Sequence, residues 1–299
     1  MISSDAATAS IGRHRSVRTP EGSPALLFLR GLAAELSVGA VILPSFPDVF
    51  MRIRAALAEP DRGLAETLEI ACAEPRLAER LLHAANSAQG QSGAPLTDLR
   101  SAIARLGNRP VQSAALAFAV ERLRLAPALR SISQELNSWW EEGIAVAALC
   151  QAIARRTQLS SDEAFLTGLL HGIGRMYIMI RAVDRTPPLN GDPDFQDMAD
   201  RWHPGIGKAV LENWGFARPL CEAVGLQAYG QRSAGSRADL ADVLIAGVAL
   251  APALREPEIR NVALENTPAF GGLGLTAQDC AAIVTHAGYQ LEALHDALD

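Results

Sequence analysis

The chain has few aromatic residues, one lysine, four cysteines and no long apolar run, and each shortage removes a class of protein. Aromatics make up 5% of the 299 residues, against 49% hydrophobic residues dominated by Ala and Leu. Ala and Leu are the strongest helix formers, so this composition favours tightly packed helices. No segment alternates apolar and polar residues with a period of two, so strands are not expected. No uncharged apolar run reaches the roughly eighteen residues of a membrane-spanning helix. No charged-apolar-small leader opens the chain either, so a membrane or export role is not expected. Cys72, Cys150, Cys221 and Cys280 lie far apart, with no CxxC and no histidine at zinc spacing. They read as small buried apolar residues of a reducing cytoplasm. Lys208 is the only lysine, so the positive charge is nearly all arginine, which reads as composition bias and not as a binding signature. The formal charge is −6 and the pI about 5.6. A duplex-binding domain needs a basic face to displace counterions, so nucleic acid is not an expected partner.

What is present is a period near 3.6. Residues 1–24 carry no such period and read as a disordered tail, with Arg13, His14, Arg15 and Arg18 solvated. Val49, Phe50, Ile53 and Leu57 mark one helix face after Pro47, and further helices are expected over Leu64–Ala73 and from Pro75. Gln89–Pro95 reads as a loop, Asp98–Leu106 as a short helix stopped by Gly107, and Pro110 to Leu125 as the next. Trp139–Arg156 follows, and Ser160-Ser161-Asp162-Glu163 forms a capping box that opens a helix ending at His171-Gly172. Residues 184–198 are Pro- and Asp-rich and read as loop. Pro204–Trp214, Pro219–Ala228 and Arg237–Leu250 read as helices, and 253–275 as a loop. The last helix, from Thr276, repeats Cys280, Val284, Ala287, Leu291, Leu294 and Leu298 at alternating spacings of four and three. This stripe is expected to pack back on its own chain, with a homodimer seam as the alternative.

Most residues able to carry chemistry have a plain structural reading. His83 sits among apolar helix residues and reads as a packing or surface group, while His286 and His295 are out of phase for a shared ligand face. Gly271–Gly274 follows no strand, so it is not a phosphate loop, and neither a Gly-x-Ser-x-Gly element nor a Cys–His arrangement is present. Trp139, Trp140, Trp202 and Trp214 read as packing anchors, one of which could serve an interface if exposed.

Three segments, in order, carry a family resemblance. The first runs from Leu43-Pro44-Ser45-Phe46-Pro47 through Glu74-Pro75-Arg76-Leu77 to Leu82-His83-Ala84-Ala85-Asn86-Ser87. The second is Leu99 to Val111, and the third is Gly168-Leu-Leu-His171-Gly172-Ile-Gly174 with His203-Pro-Gly-Ile-Gly207 and Trp214. Together they resemble the HDOD family, the HD-related output domains of bacterial signalling proteins, over about residues 37–250. The resemblance implies an all-α fold in which an N-terminal helical half (25–126) packs on a degenerate HD-like half (127–252). It also carries over, position by position, the metal ligands of HD-type phosphohydrolases. The first falls at about Glu142, the central His-Asp pair on His171 and Gly172, a later histidine on His203, a histidine pair near Gln227 and Ala228, and the final aspartate near Gly247. Gly172, Ala228 and Gly247 offer no coordinating side chain, whereas a metal centre needs at least three protein ligands.

The expectation is therefore a vestigial pocket at Glu142, His171, Gly172, His203 and Gly247, with no catalytic residue, no metal and no cofactor. The chain is expected to be a cytoplasmic, non-enzymatic signal-transduction module that binds a signalling protein at the groove between its halves. Two alternatives stay open. One is a degenerate metal-dependent phosphohydrolase of nucleotides or cyclic dinucleotides, using Glu142, His171 and His203 with Arg175 facing phosphate; the other is a small-molecule receptor using the emptied pocket.

Overall fold

The computed structural model describes residues 23–41, 48–59, 63–87, 96–183, 185, 189, 194–228, 238–256 and 267–298. The expected tail up to Gly22, Leu43 to Pro47, the Gln89–Pro95 loop and 257–266 lie outside the described residues. Among the described residues every regular element is helical, and no helix is long and apolar enough to cross a membrane.

The first helices are α1 (Pro24–Ser37), α2 (Asp48–Ala58), α3 (Gly63–Cys72), α4 (Pro75–Ser87), α5 (Leu99–Leu106) and α6 (Asn108–Arg124). A 3-10 segment, Pro127–Ile132, leads into α7 (Ser133–Ala154), α8 (Ser161–Leu170), α9 (Ile173–Ala182), α10 (Phe195–Asn213), α11 (Arg218–Leu226) and α12 (Leu240–Leu250). A 3-10 turn at Ala251–Leu254 and one helical turn at Ala269–Gly272 precede α13 (Ala277–Leu298).

Local chemistry sets many of these boundaries. Ser23 Oγ accepts the Leu26 N–H at 3.2 Å. Pro24 takes the first helical turn, where its missing N–H costs nothing. Asp98 caps α5 by accepting from Ser101 N–H at 2.8 Å, one of the donors a helix start leaves free. Gly107, at φ +74°, ends that helix in a conformation that L side chains avoid. Ser160 Oγ accepts from Glu163 N–H at 3.3 Å, and Asp239 and Asp242 cap α12 reciprocally. Asn86 grips Leu96 from both sides, donating to its carbonyl at 3.1 Å and accepting its N–H at 2.7 Å. These bonds join positions ten residues apart.

One expected boundary is corrected. Residues 195–198, read as loop, already belong to α10, and Pro204 sits inside that helix and does not start it. Phe195, Met198 and Ala199 supply the buried face, and that burial outweighs the backbone hydrogen bond Pro204 cannot donate. A second correction concerns cysteine. Cys150, Cys221 and Cys280 are buried as expected, but Cys72 is exposed at the end of α3.

α7 is the axis of the second half: α8, α12 and α13 all pack on it, while α9 and α11 pack on α10. In the first half α2 packs on α3 and α6, and α4 packs on α5 and α6. Buried Glu121 accepts from Arg80 at 2.7 Å and lies 3.6 Å from Arg76, tying α6 to α4. The halves meet where α6 touches α7 and α8, and α13, beyond both, touches α4. The expected split at residue 126 groups α1 with the first half, yet its packing partner is α10. Phe28 meets Phe195 with ring centroids 6.3 Å apart, Glu35 pairs with Arg181 at 2.7 Å, and Asn213 donates to the Leu36 carbonyl at 3.0 Å. Along α13, Cys280, Ile283, Val284 and Ala287 are buried, so the apolar stripe faces its own chain there.

Candidate functional site

Two glycine contacts build the site. A Cβ on Gly168 would stand 2.7 Å from Ala147 Cα, so α8 crosses α7 backbone to backbone. That crossing sets His171, the residue after α8, beside Glu142 of α7. A Cβ on Gly174 would run into the His203 carbonyl oxygen and lie 2.6 Å from Gly207 N. The same close approach presses α9 onto α10 and brings His203 to the same place.

His171 is 5% exposed, and its Nδ1 lies 2.7 Å from the Gly168 carbonyl oxygen, a hydrogen bond in which the ring nitrogen donates. Its Nε2 is thereby turned to Glu142 Oε1 at 3.9 Å, too long for a hydrogen bond and an ion pair only when the ring is protonated. Arg175, one turn into α9, places Nη1 3.9 Å from Glu142 Oε2 and Nη2 3.1 Å from Asp200 Oδ1. The guanidinium bridges two carboxylates from α7 and α10. His171 is the main influence holding the Glu142 carboxyl below its usual range, joined by the charges of Arg175 and His203 and opposed by burial. His203 is pushed down to about 4, first by desolvation and then by the Arg175 and His171 charges, against the pull of Glu142. Its Nδ1 and Arg175 Nε are sealed from solvent without hydrogen-bond partners.

The structure thus sets Glu142 beside His171 and brings His203 within electrostatic range of both, without closing the three into one ligand set. It sets Gly172 at the start of α9 with nothing within 4 Å of an added Cβ. Gly247, on α12, packs further along α7, where a Cβ would stand 2.7 Å from Cys150 Sγ. Gln227 is spent on backbone, donating to the carbonyls of His171 at 2.9 Å and Val224 at 3.0 Å. Asp200 escaped the sequence reading, although it stands three residues before His203 and so shares a helix face with it.

The donor chemistry does not suit a divalent metal. Among the described residues no three His, Cys, Asp or Glu side chains converge as a ligand set. Arg175 already supplies positive charge between the Glu142 and Asp200 carboxylates. Cavities open elsewhere. One of about 850 Å³ lies between α1, α10 and α11, bordered by Trp202, which is half-buried. Another of about 510 Å³ lies between α2 and α6 of the first half and α8 and α11 of the second. His83 is exposed, and Trp140 and Trp214 are buried.

Helices make up every regular element of the described residues, and α7 to α10 converge around Glu142, His171 and Arg175, which defines an all-α helical domain. The HDOD domain model matches residues 43–228, more than half of the chain. The chain belongs to the HDOD family. Among solved structures, a Shewanella amazonensis protein provisionally called a metal-dependent phosphohydrolase is 25% identical, with a TM-score of 0.64, covering 88% of this chain and 99% of its own. A Geobacter sulfurreducens HDOD domain protein of unknown function is 23% identical over 92% of this chain and 99% of its own, at a TM-score of 0.61. A Marinobacter aquaeolei chain provisionally called a signal transduction protein is 17% identical over 94% of this chain and 67% of its own, at 0.55. No curated protein matches the sequence.

Proposed function

We propose that this chain is a bacterial, cytoplasmic regulatory module of signal transduction that performs no catalysis and works by binding a protein partner at the seam between its halves. The observation that carries this reading is Arg175, whose guanidinium sits between Glu142 and Asp200. Hydroxide generation on a metal requires several ligands and an open coordination position. Gly172 and Gly247 withhold two of those ligands, and an arginine that pairs both carboxylates disfavours a second cation there. Membership of the HDOD family supports the regulatory side of the reading.

A metal-dependent phosphohydrolase is the competing reading, favoured by the name of the Shewanella amazonensis neighbour. The two are separated by elemental analysis of protein produced without a metal-binding tag in excess iron, manganese and zinc, together with hydrolysis of bis(p-nitrophenyl) phosphate. Folded protein with substoichiometric metal and no turnover above the metal-only background is the expected result. Near-stoichiometric metal that disappears in His171→Ala, with turnover lost alongside it, would replace the proposal with the hydrolase.

A further inference from the structure

We propose that the cleft between the two halves binds a small organic monocarboxylate with an apolar body, anchored by Arg54. Arg54 lies on α2, half-buried, with its guanidinium 5.6 Å from the centroid of the Phe216 ring. It presses against Gly215, at φ +67°, where a Cβ would stand 2.9 Å from Nη2. Glycine there both permits the turn and leaves room for the arginine. The Arg54 Nη1 is sealed from solvent and has no hydrogen-bond partner. Two other arginines of the first half are paired, Arg80 with Glu121 and Arg122 with Glu74. Arg54 has no carboxylate at ion-pair distance among the described residues. A part-buried guanidinium without a carboxylate partner is costly to keep, and a carboxylate in the cleft fits its planar fork.

The rest of the cleft sets the class of ligand. Leu57, Leu166, Phe216 and Leu220 give it an apolar wall, and its volume of about 510 Å³ falls within the usual range of small-molecule sites. Gln112 of α6 adds a neutral amide. Asp162 and Glu163, in the first turn of α8, supply the other charges of the lining. One cation against two carboxylates leaves the lining with a single net negative charge. That balance disfavours every anion and phosphates or nucleotides of two or more charges most, so a ligand of single charge is held only by its contact with Arg54. Helix starts agree with that placement. α8 and α12 carry acids in their first turns, whereas α11, which begins beside Phe216, carries none and has no side-chain cap. A ligand here touches both halves at once, so it is placed to alter how they sit together.

The site lies in the seam assigned to the protein partner, and the two proposals fail separately, because acid binding is measured on the chain alone. The full chain is titrated with hexanoate, octanoate and decanoate, with the matching primary amides and with inorganic phosphate, by calorimetry and amide chemical shifts. At least one acid is expected to bind roughly tenfold or more tightly than its amide, with shifts at Phe216 and Leu166 and with phosphate weaker than the acid. Arg54→Gln should abolish the preference for acid over amide while the far-ultraviolet circular dichroism stays unchanged. If Arg54→Gln does not fold, Gln112→Glu serves instead, adding a negative charge without touching the Arg54–Phe216 contact, and should weaken the acid alone. The site is overturned if no acid binds at millimolar concentration, if acid and amide bind alike, if phosphate binds better, or if the acid preference survives in the folded variant.

Discussion

Cys150 Sγ lies 2.7 Å from the point that a Cβ on Gly247 would occupy. The sulfur therefore uses the space that any side chain at position 247 would need, including the aspartate expected from the HD-type pattern. Cys150 is fully buried, and burial pushes its thiol well above the usual cysteine range, so it behaves as an apolar filler. Gly247→Ala should cost roughly 1–3 kcal/mol by overpacking. Cys150→Ala alone should cost about 1 kcal/mol for the space it empties. The double variant should cost less than the two together by at least about 0.5 kcal/mol, because each change makes room for the other. Urea unfolding of the four proteins decides it, and strictly additive costs would show that the two residues do not share that space.

His203 gives the fold a dependence on pH. Its folded value of about 4 lies below the ordinary 6.5 because burial comes first and the Arg175 and His171 charges add to it, with Glu142 opposing. Between those values the unfolded chain takes up a proton that the folded chain refuses. The stability associated with this ring is fully present above about pH 6.5 and is lost as pH falls towards 4, by roughly 3 kcal/mol at most. His203→Gln should flatten the decline in unfolding free energy measured between about pH 7 and the folded value. An unchanged slope would assign the acid sensitivity to other groups.

Gly172 and Gly174 are two residues apart and have opposite tolerances. A Cβ at position 172 meets nothing within 4 Å, and φ there is −85°, within reach of any residue. Gly172→Asp, which restores the missing half of the His-Asp pair, should fold with stability within about 0.5 kcal/mol of the parent. It should still bind no stoichiometric metal, since Gly247 and the Arg175 bridge are unchanged. Gly174→Ala puts a methyl group into the His203 carbonyl and should cost roughly 3 kcal/mol or leave the chain unfolded. Thermal melts of both variants and metal analysis of the first are the measurements; equal losses at the two positions would contradict the packing of α9 on α10.

The capped helices were legible because their signals are local: Asp98, Gly107 and Ser160 do in space what their residue types announce. The start of α10 was not, because Pro204 resembles a helix opening when read alone. Only the buried face of Phe195, Met198 and Ala199 reveals a helix already under way. At the site, Glu142, His171 and His203 came from matching a family pattern, and no local period would have joined them. The contacts that decide what the site can do are long-range: Arg175 against Glu142, Cys150 against Gly247, Arg54 against Phe216. Residues so far apart in sequence carry no mutual signal in a single chain. Their pairing follows from how closely glycines let the helices approach.

Arg175 is the residue on which the proposed non-catalytic reading turns. Its two contacts involve carboxylates that are nearly half exposed, Glu142 at 44% and Asp200 at 45%. Solvent screens such pairs, and their combined contribution to stability should be about 1 kcal/mol. Arg175→Met keeps much of the stem and removes the charge. The variant should lose about that much stability at low salt and less at high salt, where the parent pairs are themselves screened. The more telling readout is His203: with the neighbouring cation gone, its titration should move up from about 4, because Arg175 is the largest charge contribution holding it down. Imidazole proton shifts followed against pH in both proteins would measure this. A His203 titration unmoved by Arg175→Met would mean that burial alone depresses the ring, and that the guanidinium belongs to the two carboxylates without governing the rest of the site.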